Sequence, residues 1–392
     1  MRVVSGPQGP RVLLDGQPVL LLCSNNYLGL ADHPRVRAAA AEAAMGLGTS
    51  AGASRLISGT MTVHGHLERR LAEFKGTEAA LLFGSGYLAN SGAIAALAGE
   101  GGVVFSDELN HASIIDGCRL ARAETFVYRH ADLEHLAWGL RKAGGRASLI
   151  ATDGVFSMDG DIAPLPELFA LARDHRARLL VDEAHATGAI GPGGRGSVAA
   201  MGLSEEVDVL IGTLGKALGG YGAYVCGPAE LTEFLVNSAR PFIFSTALPP
   251  PVVAAASAAL ELLVSEPERV ERLAANADGL RAGLAAEGLE LGASDTQIVP
   301  VSVGDASDAM ALCERVLEHG VFAQAIRPPT VPEGTCRLRL TAMATHRPAE
   351  LREAAQVIGA AARELNLRAS PAGTWGGDAN RGDAEDSHGI AA

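Results

Sequence analysis

A lysine among glycines, Lys216 in Thr213-Leu214-Gly215-Lys216-Ala217-Leu218-Gly219-Gly220, follows the apolar run Val209–Ile211 and so stands just past the end of a buried strand. An amine held there against apolar wall and glycine backbone is a candidate for a lowered pKa and Schiff-base chemistry. Taken alone, the segment fits an ordinary loop lysine better. A second strand end, Leu179–Val181, delivers Asp182-Glu183-Ala184-His185-Ala186-Thr187-Gly188. Beside a pyridine-type cofactor, Asp182 can keep the ring nitrogen protonated while His185 meets the ring's phenolic oxygen, and a protonated ring is an electron sink for a carbanion. A helix-capping aspartate and a surface histidine fit the same pattern.

Other strand ends carry further candidates. Phe83-Gly84-Ser85-Gly86-Tyr87 joins a strand to a helix, so its amides point outward at the positive end of a helix dipole and suit a phosphate. It has neither the full glycine pattern of a dinucleotide fingerprint nor the lysine of a nucleotide-triphosphate loop, which leaves a cup for a small phosphorylated cofactor. His111, in Asp107-Glu108-Leu109-Asn110-His111, can stack flat on an aromatic ring or serve the structure alone. Ser157 lies in Asp153-Gly154-Val155-Phe156-Ser157, without the Gly-x-Ser-x-Gly surroundings of a hydrolase elbow. Strand alternation over 337–342 predicts Arg337, Arg339 and Thr341 on one face with Leu338 and Leu340 on the other; a guanidinium there can grip a carboxylate or sit in a surface ion pair. Arg327 stands apart in the proline-stiffened loop Ile326-Arg327-Pro328-Pro329-Thr330-Val331-Pro332.

The elements that must position these residues read as an α/β fold. Strands are expected at Ala80–Phe83, Val103–Ser106, Thr125–Tyr128, Ser148–Asp153, Arg178–Val181, Val209–Gly212 and Ala223–Cys226, alternating with helices. Such alternation implies a mostly parallel seven-stranded sheet covered on both faces, with ligands outside the carboxyl ends of its strands. Before it come a hairpin turning at Asp15-Gly16 and a helix opened by Asp32 as N-cap with Pro34 in its first turn and ended by Gly46. After it come a helical stretch (Pro251–Gly288) and a smaller α+β lobe of strands Gln297–Val303, Val321–Ile326 and Arg337–Ala342 with helices Ala306–His319 and Ala349–Leu365. The expected division is an N-terminal segment 1–30, a large cofactor lobe 31–240, a small C-terminal lobe 241–368 and a disordered Gly-, Ala- and Asp-rich tail 369–392.

With 392 residues, 48% of them hydrophobic, the chain has ample core, and its net charge of −13 argues against nucleic acid or an anionic membrane as the main partner. Five scattered cysteines, none spaced C-x-x-C, suggest neither a disulfide framework nor a zinc site and fit a reducing cytoplasm. No signal peptide or transmembrane span is read, because the uncharged stretch Ala79–Gly99 is interrupted by Gly84-Ser85-Gly86 and Asn90-Ser91.

Taken in order, SNNYLGL, GSGYLAN, LNHASI, DGVFSMDGD, VDEAHATG, GTLGKALGGYG and FSTALPP resemble the signatures of the α-oxoamine synthases, fold-type-I enzymes dependent on pyridoxal 5′-phosphate, from about Leu22 to Leu365. The resemblance implies that Lys216 carries the cofactor, Asp182 meets its pyridine nitrogen, His185 and Ser157 contact its phenolic oxygen and His111 stacks on its ring. It implies a phosphate site of Gly86, Tyr87 and Thr213, joined by Thr246 from the second subunit of a homodimer, and a carboxylate site of Asn25 and Arg339. The loop IRPPTVP is most like that of members condensing L-alanine with a pimeloyl thioester, on coenzyme A or a carrier protein, and Arg327 would hold that acyl substrate by its distal carboxylate or its carrier's phosphates. The alternative is another reaction of the family, such as glycine with acetyl-CoA. Two departures stand out: for the arginine that the family carries on an N-terminal helix, the residues before Asn25 offer Arg2 as the substitute, and Asp153 stands where a glutamate is usual.

Overall fold

The computed structural model describes residues 1–367, and the tail expected at 369–392 lies outside them. The chain opens with β1 (Val4–Ser5) and a hairpin of β2 (Arg11–Leu14) and β3 (Gln17–Leu21), which turns where Asp15 and Gly16 both take positive φ (50° and 83°). Seven strands follow: β4 (Ala79–Phe83), β5 (Val103–Asp107), β6 (Glu124–Tyr128), β7 (Ser148–Asp153), β8 (Arg178–Asp182), β9 (Val209–Thr213) and β10 (Ala223–Gly227). Each lies within one residue of its expected bounds. They form one sheet in the order β4-β10-β9-β8-β7-β5-β6.

The strands from β9 to β6 run parallel, and β10 is antiparallel to both β9 and β4. The reversal follows from the connection. No crossover helix separates β9 from β10, so the short turn carrying Lys216 can only send the chain back alongside. The sheet is covered on both faces: Phe105, Ile150, Val181 and Leu210 pack into one core cluster, and their neighbours Val104, Leu149, Leu180 and Val209 into another. Continuous apolar strands are what such double burial requires.

The C-terminal lobe has its own core, built on an antiparallel sheet of β11 (Ile298–Gly304), β14 (Cys336–Thr341) and β13 (Gln324–Ile326) with the helices Ala306–Glu318 and Pro348–Glu364. The strand expected at Val321–Ile326 is divided: β12 (Val321–Phe322) pairs in parallel with β3, while β13 pairs with β14. One apolar run thus serves two sheets and ties the N-terminal hairpin to this lobe. The stretch expected as helical from Pro251 is two helices, Pro250–Ser265 and Glu268–Ala286, parted at Glu266-Pro267. The first packs Val253, Ala256, Leu260 and Leu263 into the core of the large lobe, although it follows the expected boundary at 241. The helix expected to be capped by Asp32 runs Pro34–Leu47 and is capped by His33, whose ring accepts from the Arg35 amide (3.3 Å); Asp32 is drawn instead to Arg37. No helix among the described residues is long and apolar enough to cross a membrane.

Candidate active site

The carboxyl ends of the parallel strands gather acidic side chains. Asp107, Asp153 and Asp182 are the last residues of β5, β7 and β8, and all three are buried. Asp182 accepts from Asn90 Nδ2 (2.6 Å) and from the Ala184 amide (2.8 Å), which orients both of its oxygens. Asn90 also donates to Ser113 (2.9 Å), and its own Oδ1 is buried without a partner. Asp153 is paired with Asp182 across the β7–β8 ladder, and despite its shorter reach than glutamate it accepts from the His111 amide (2.7 Å). Burial, then the Asp182 charge, pushes the Asp153 carboxyl well above its usual range, which favours the protonated acid.

His111 caps the helix Ala112–Leu120, its Nδ1 accepting from the Ser113 amide (3.2 Å) and hydroxyl (2.7 Å). Burial lowers its proton affinity, against the pull of Asp182, so its ring is neutral and suits stacking. Lys216 Nζ lies 2.8 Å from His185 Nε2. Burial lowers the lysine pKa to about 8, a fall that Asp182 and Asp153 only partly offset. His185 is itself held well below its usual value by burial and then by Lys216 and Arg339, so a neutral imidazole faces the amine. Its Nδ1 is 2.6 Å from the Tyr27 hydroxyl, which donates to Asn25 Oδ1 (3.1 Å). The His185 carbonyl accepts from Gln297 Nε2 (2.8 Å), which ties this loop to the segment entering β11.

At the phosphate cup, Ser85 caps the helix Gly86–Leu97 by accepting from the Leu88 amide (3.2 Å), and a Cβ added at Gly86 would meet nothing within 4 Å. The first helical amides, Gly86 and Tyr87, have no acceptor within the helix and open on that space. The Tyr87 hydroxyl is bonded to Asp116. Thr213 spends its hydroxyl on the lysine turn, donating to the Gly222 carbonyl (3.1 Å) and accepting from the Gly215 amide (3.1 Å). Thr246 bridges to Ser54 and lines a small cavity with Gly84 of its own chain.

The C-terminal lobe supplies two guanidinium groups. The alternation expected along β14 does not yield a solvated polar face: Arg337 and Arg339 are 7% exposed and Thr341 is fully buried, because the large lobe covers that side. Arg339 Nε donates to the Ser157 carbonyl, and Arg337 pairs with Asp159. A cavity of about 450 Å3 between the lobes is lined by His111, Ser157 and Arg337, together with Pro329 and Pro332 of the proline loop. Arg327 is exposed and not among its lining residues. Arg2 is held on the N-terminal segment by Asp15 and Glu314 and does not join the cluster.

The chain therefore brings together Lys216, Asp182, His185, His111, Ser157, Asn25 and Arg339, and leaves out Arg2. Three participants went unread in the sequence. Tyr27 stands inside SNNYLGL and Asn90 inside GSGYLAN, polar residues within otherwise recognised motifs. His130, two residues past the end of β6, donates to Asp107 (3.0 Å) and Asp161 (2.9 Å). Burial opposes its charge, but its hydrogen bonds to both carboxylates raise its pKa to about 10, and it clamps the loop of His111 to that of Ser157. Its place just beyond a strand end, like that of His111 and His185, is the signal that could have found it.

The family model of class I and II aminotransferases matches residues 17–358. The chain belongs to that family. It is 55% identical to an 8-amino-7-oxononanoate synthase of Geobacter sulfurreducens, over 94% of this chain and 95% of the relative. Its backbone is similar to that of a Sphingomonas wittichii serine palmitoyltransferase (TM-score 0.91, 35% identity, 94% and 93% covered). It is also similar to an 8-amino-7-oxononanoate synthase of Francisella tularensis (TM-score 0.76, 27% identity, 89% and 99% covered). The chain is a fold-type-I, pyridoxal phosphate-dependent acyltransferase, as its motifs implied. Its residues fit that cofactor: a low-pKa amine, a buried carboxylate with both oxygens oriented, a flat neutral imidazole and an open helix N-terminus all border one site.

Proposed function

We propose that the chain condenses L-alanine with a pimeloyl thioester, forming the bond from alanine Cα to the acyl carbon, expelling the thiol and losing alanine's carboxyl as CO2, to give 8-amino-7-oxononanoate on the route to biotin. Pyridoxal phosphate, when bound, supplies the electron sink that makes the amino acid's Cα–H acidic. Lys216 would hold its aldehyde carbon, Asp182 its ring nitrogen, His111 its ring face, and His185 with Ser157 its phenolic oxygen. Gly86, Tyr87 and Thr213 would hold its phosphate, with Thr246 of a second copy.

Arg339 bonds the Ser157 carbonyl through Nε, leaving its terminal nitrogens for the alanine carboxylate, with Asn25 beside it. Lys216, a free amine above about pH 8, takes the proton from Cα and later returns one to the product. His185, neutral and fixed by Tyr27, keeps that amine from being held as an ion pair. A homodimer with shared sites is supported by exposed apolar side chains near these elements: Ile57 (80%), Phe244 (70%) and Tyr221 (58%).

What carries the reading is this amine at a strand-end turn, in a chain half-identical to synthases of that product. A serine- or glycine-using reaction with another acyl donor is the second reading, favoured by the backbone likeness to serine palmitoyltransferase. Thiol release measured with L-alanine or glycine, each paired with pimeloyl-CoA or acetyl-CoA, separates them. Release confined to alanine with pimeloyl-CoA is expected; preference for glycine with acetyl-CoA overturns the substrate assignment and keeps the Lys216 chemistry.

A further inference from the structure

The inter-lobe cavity that reaches His111 and Ser157 has a second polar wall, at Arg337. This guanidinium donates to the Thr335 carbonyl (3.1 Å) and to Asp159, and among the described residues its side chain makes no other hydrogen bond. Asp159 differs from its partner. Its side chain is 32% exposed against 8% for Arg337, it bonds nothing else among the described residues, and it stands in a loop next to Gly160, whose φ is positive (74°). A buried guanidinium requires a carboxylate opposite it, whereas a half-exposed loop aspartate can be solvated without its partner. Asp159 is therefore an exchangeable counter-ion. A ligand carboxylate entering the cavity can take its place in the same planar fork, and Asp159 then turns to water.

The rest of the lining says which anion fits. Leu109, Ile115, Phe156, Met158 and Val331 present apolar surface, suited to methylene groups. The volume, about 450 Å3, falls in the usual range for small-molecule sites. Glu108 and Asp159 together outnumber Arg337 in the same wall, so a polyphosphate meets no surplus of positive charge there. We propose that Arg337, with Asp159 as its exchangeable partner, binds the terminal carboxylate of a dicarboxylic acyl donor and sets selectivity for it. This deepens the acyl-transfer reading above and rests on it. It also moves the acyl-binding role expected of Arg327 to a guanidinium that lines the cavity.

The test compares KM for pimeloyl-CoA and heptanoyl-CoA, which share chain length and differ in the terminal carboxylate, on holoenzyme with saturating L-alanine. Arg337→Gln is expected to raise KM for pimeloyl-CoA on the order of 10- to 100-fold, the loss of a charged hydrogen-bonded pair, with heptanoyl-CoA and alanine unchanged. Asp159→Asn, which removes the competing carboxylate, is expected to lower KM for pimeloyl-CoA alone, by a few fold. Equal losses for both donors, or a pimeloyl preference that disappears in Arg327→Gln and survives in Arg337→Gln, overturn the proposal. So does a loss that vanishes when both acyl groups are offered on pantetheine, which assigns the arginine to the carrier's phosphates. Should Arg337→Gln fail to fold, Asp159→Asn decides, and an unchanged donor preference there counts against the exchange. Wild type idle with alanine and pimeloyl-CoA overturns the reaction itself; wild type active with an indifferent Arg337→Gln overturns only the carboxylate site.

Discussion

Lys75 and Lys216 are both largely shielded from water, and the loop that follows β8 supplies partners to each. Lys75 ends the helix Thr62–Lys75, is 1% exposed, and donates to Glu183 (3.0 Å), Thr187 (2.8 Å) and the Arg195 carbonyl (2.6 Å), one acceptor for each ammonium proton. Burial opposes its charge, but Tyr224 and Glu183 more than offset that and its pKa is raised. Lys216 meets a neutral imidazole and, among the described residues, no carboxylate within ion-pair distance, and its pKa falls to about 8. Burial alone does not make a reactive amine. What separates a structural cation from a nucleophile and base is whether a carboxylate completes its coordination.

Exchanging or deleting partners tests that contrast. The largest effect belongs to Lys216→Ala, for which thiol release is expected to fall by at least ~10⁴-fold, with loss of the visible absorbance of bound cofactor and little change in stability. Turnover retained in that variant would remove the distinction altogether. Lys75→Met is expected to do the reverse. It leaves Glu183 buried and uncompensated, at a cost of about 3–5 kcal/mol in urea unfolding, while Lys75→Met with Glu183→Gln recovers much of the loss. If the single variant were as stable as wild type, Lys75 would not be the structural member of the pair.

A smaller loss is expected from Gly196→Ala, because an added Cβ would collide with the Glu183 carboxylate on a backbone of φ 110°. The expected cost is about 1–3 kcal/mol, read as a shifted urea midpoint, with activity per folded molecule unchanged. The least effect is in pH dependence, measured as unfolding of cofactor-free protein. Between about pH 8 and 10.5 the unfolded chain binds a proton at Lys216 that the folded chain does not, so stability relative to Lys216→Met rises with pH across that window. Lys75, with a raised pKa, gives the opposite sign: its contribution is complete below 10.5 and is lost as pH climbs through the folded value. Parallel slopes for the two lysines would contradict their different surroundings.

The sheet was legible because a strand buried on both faces must be a short apolar run, broken where Gly or Asp meets solvent or a site. Ile150, Leu180 and Leu210 lie in such runs. The same local logic exposed Asp182, His185, His111 and Lys216, each set at or just past a strand end. It did not separate β12 from β13, since which sheet a short run joins depends on the neighbouring strand and not on the run. Nor did it mark Lys75, which reads as a cation suited to a helix C-terminus and is claimed by Glu183 from 108 residues away. Tyr27 and Asn90 were hidden for a related reason: their partners, His185 and Asp182, come from β8 and the loop after it.

By itself the amino-acid order determined the seven strands of the large sheet and which residue types stand at their ends, because these follow from runs, breaks and spacing along the chain. Only the tertiary structure decided which lysine loses proton affinity, which aspartate gains it and which arginine reaches the cavity. A pKa and a counter-ion are properties of what surrounds a group, and here those surroundings are assembled from segments distant in sequence.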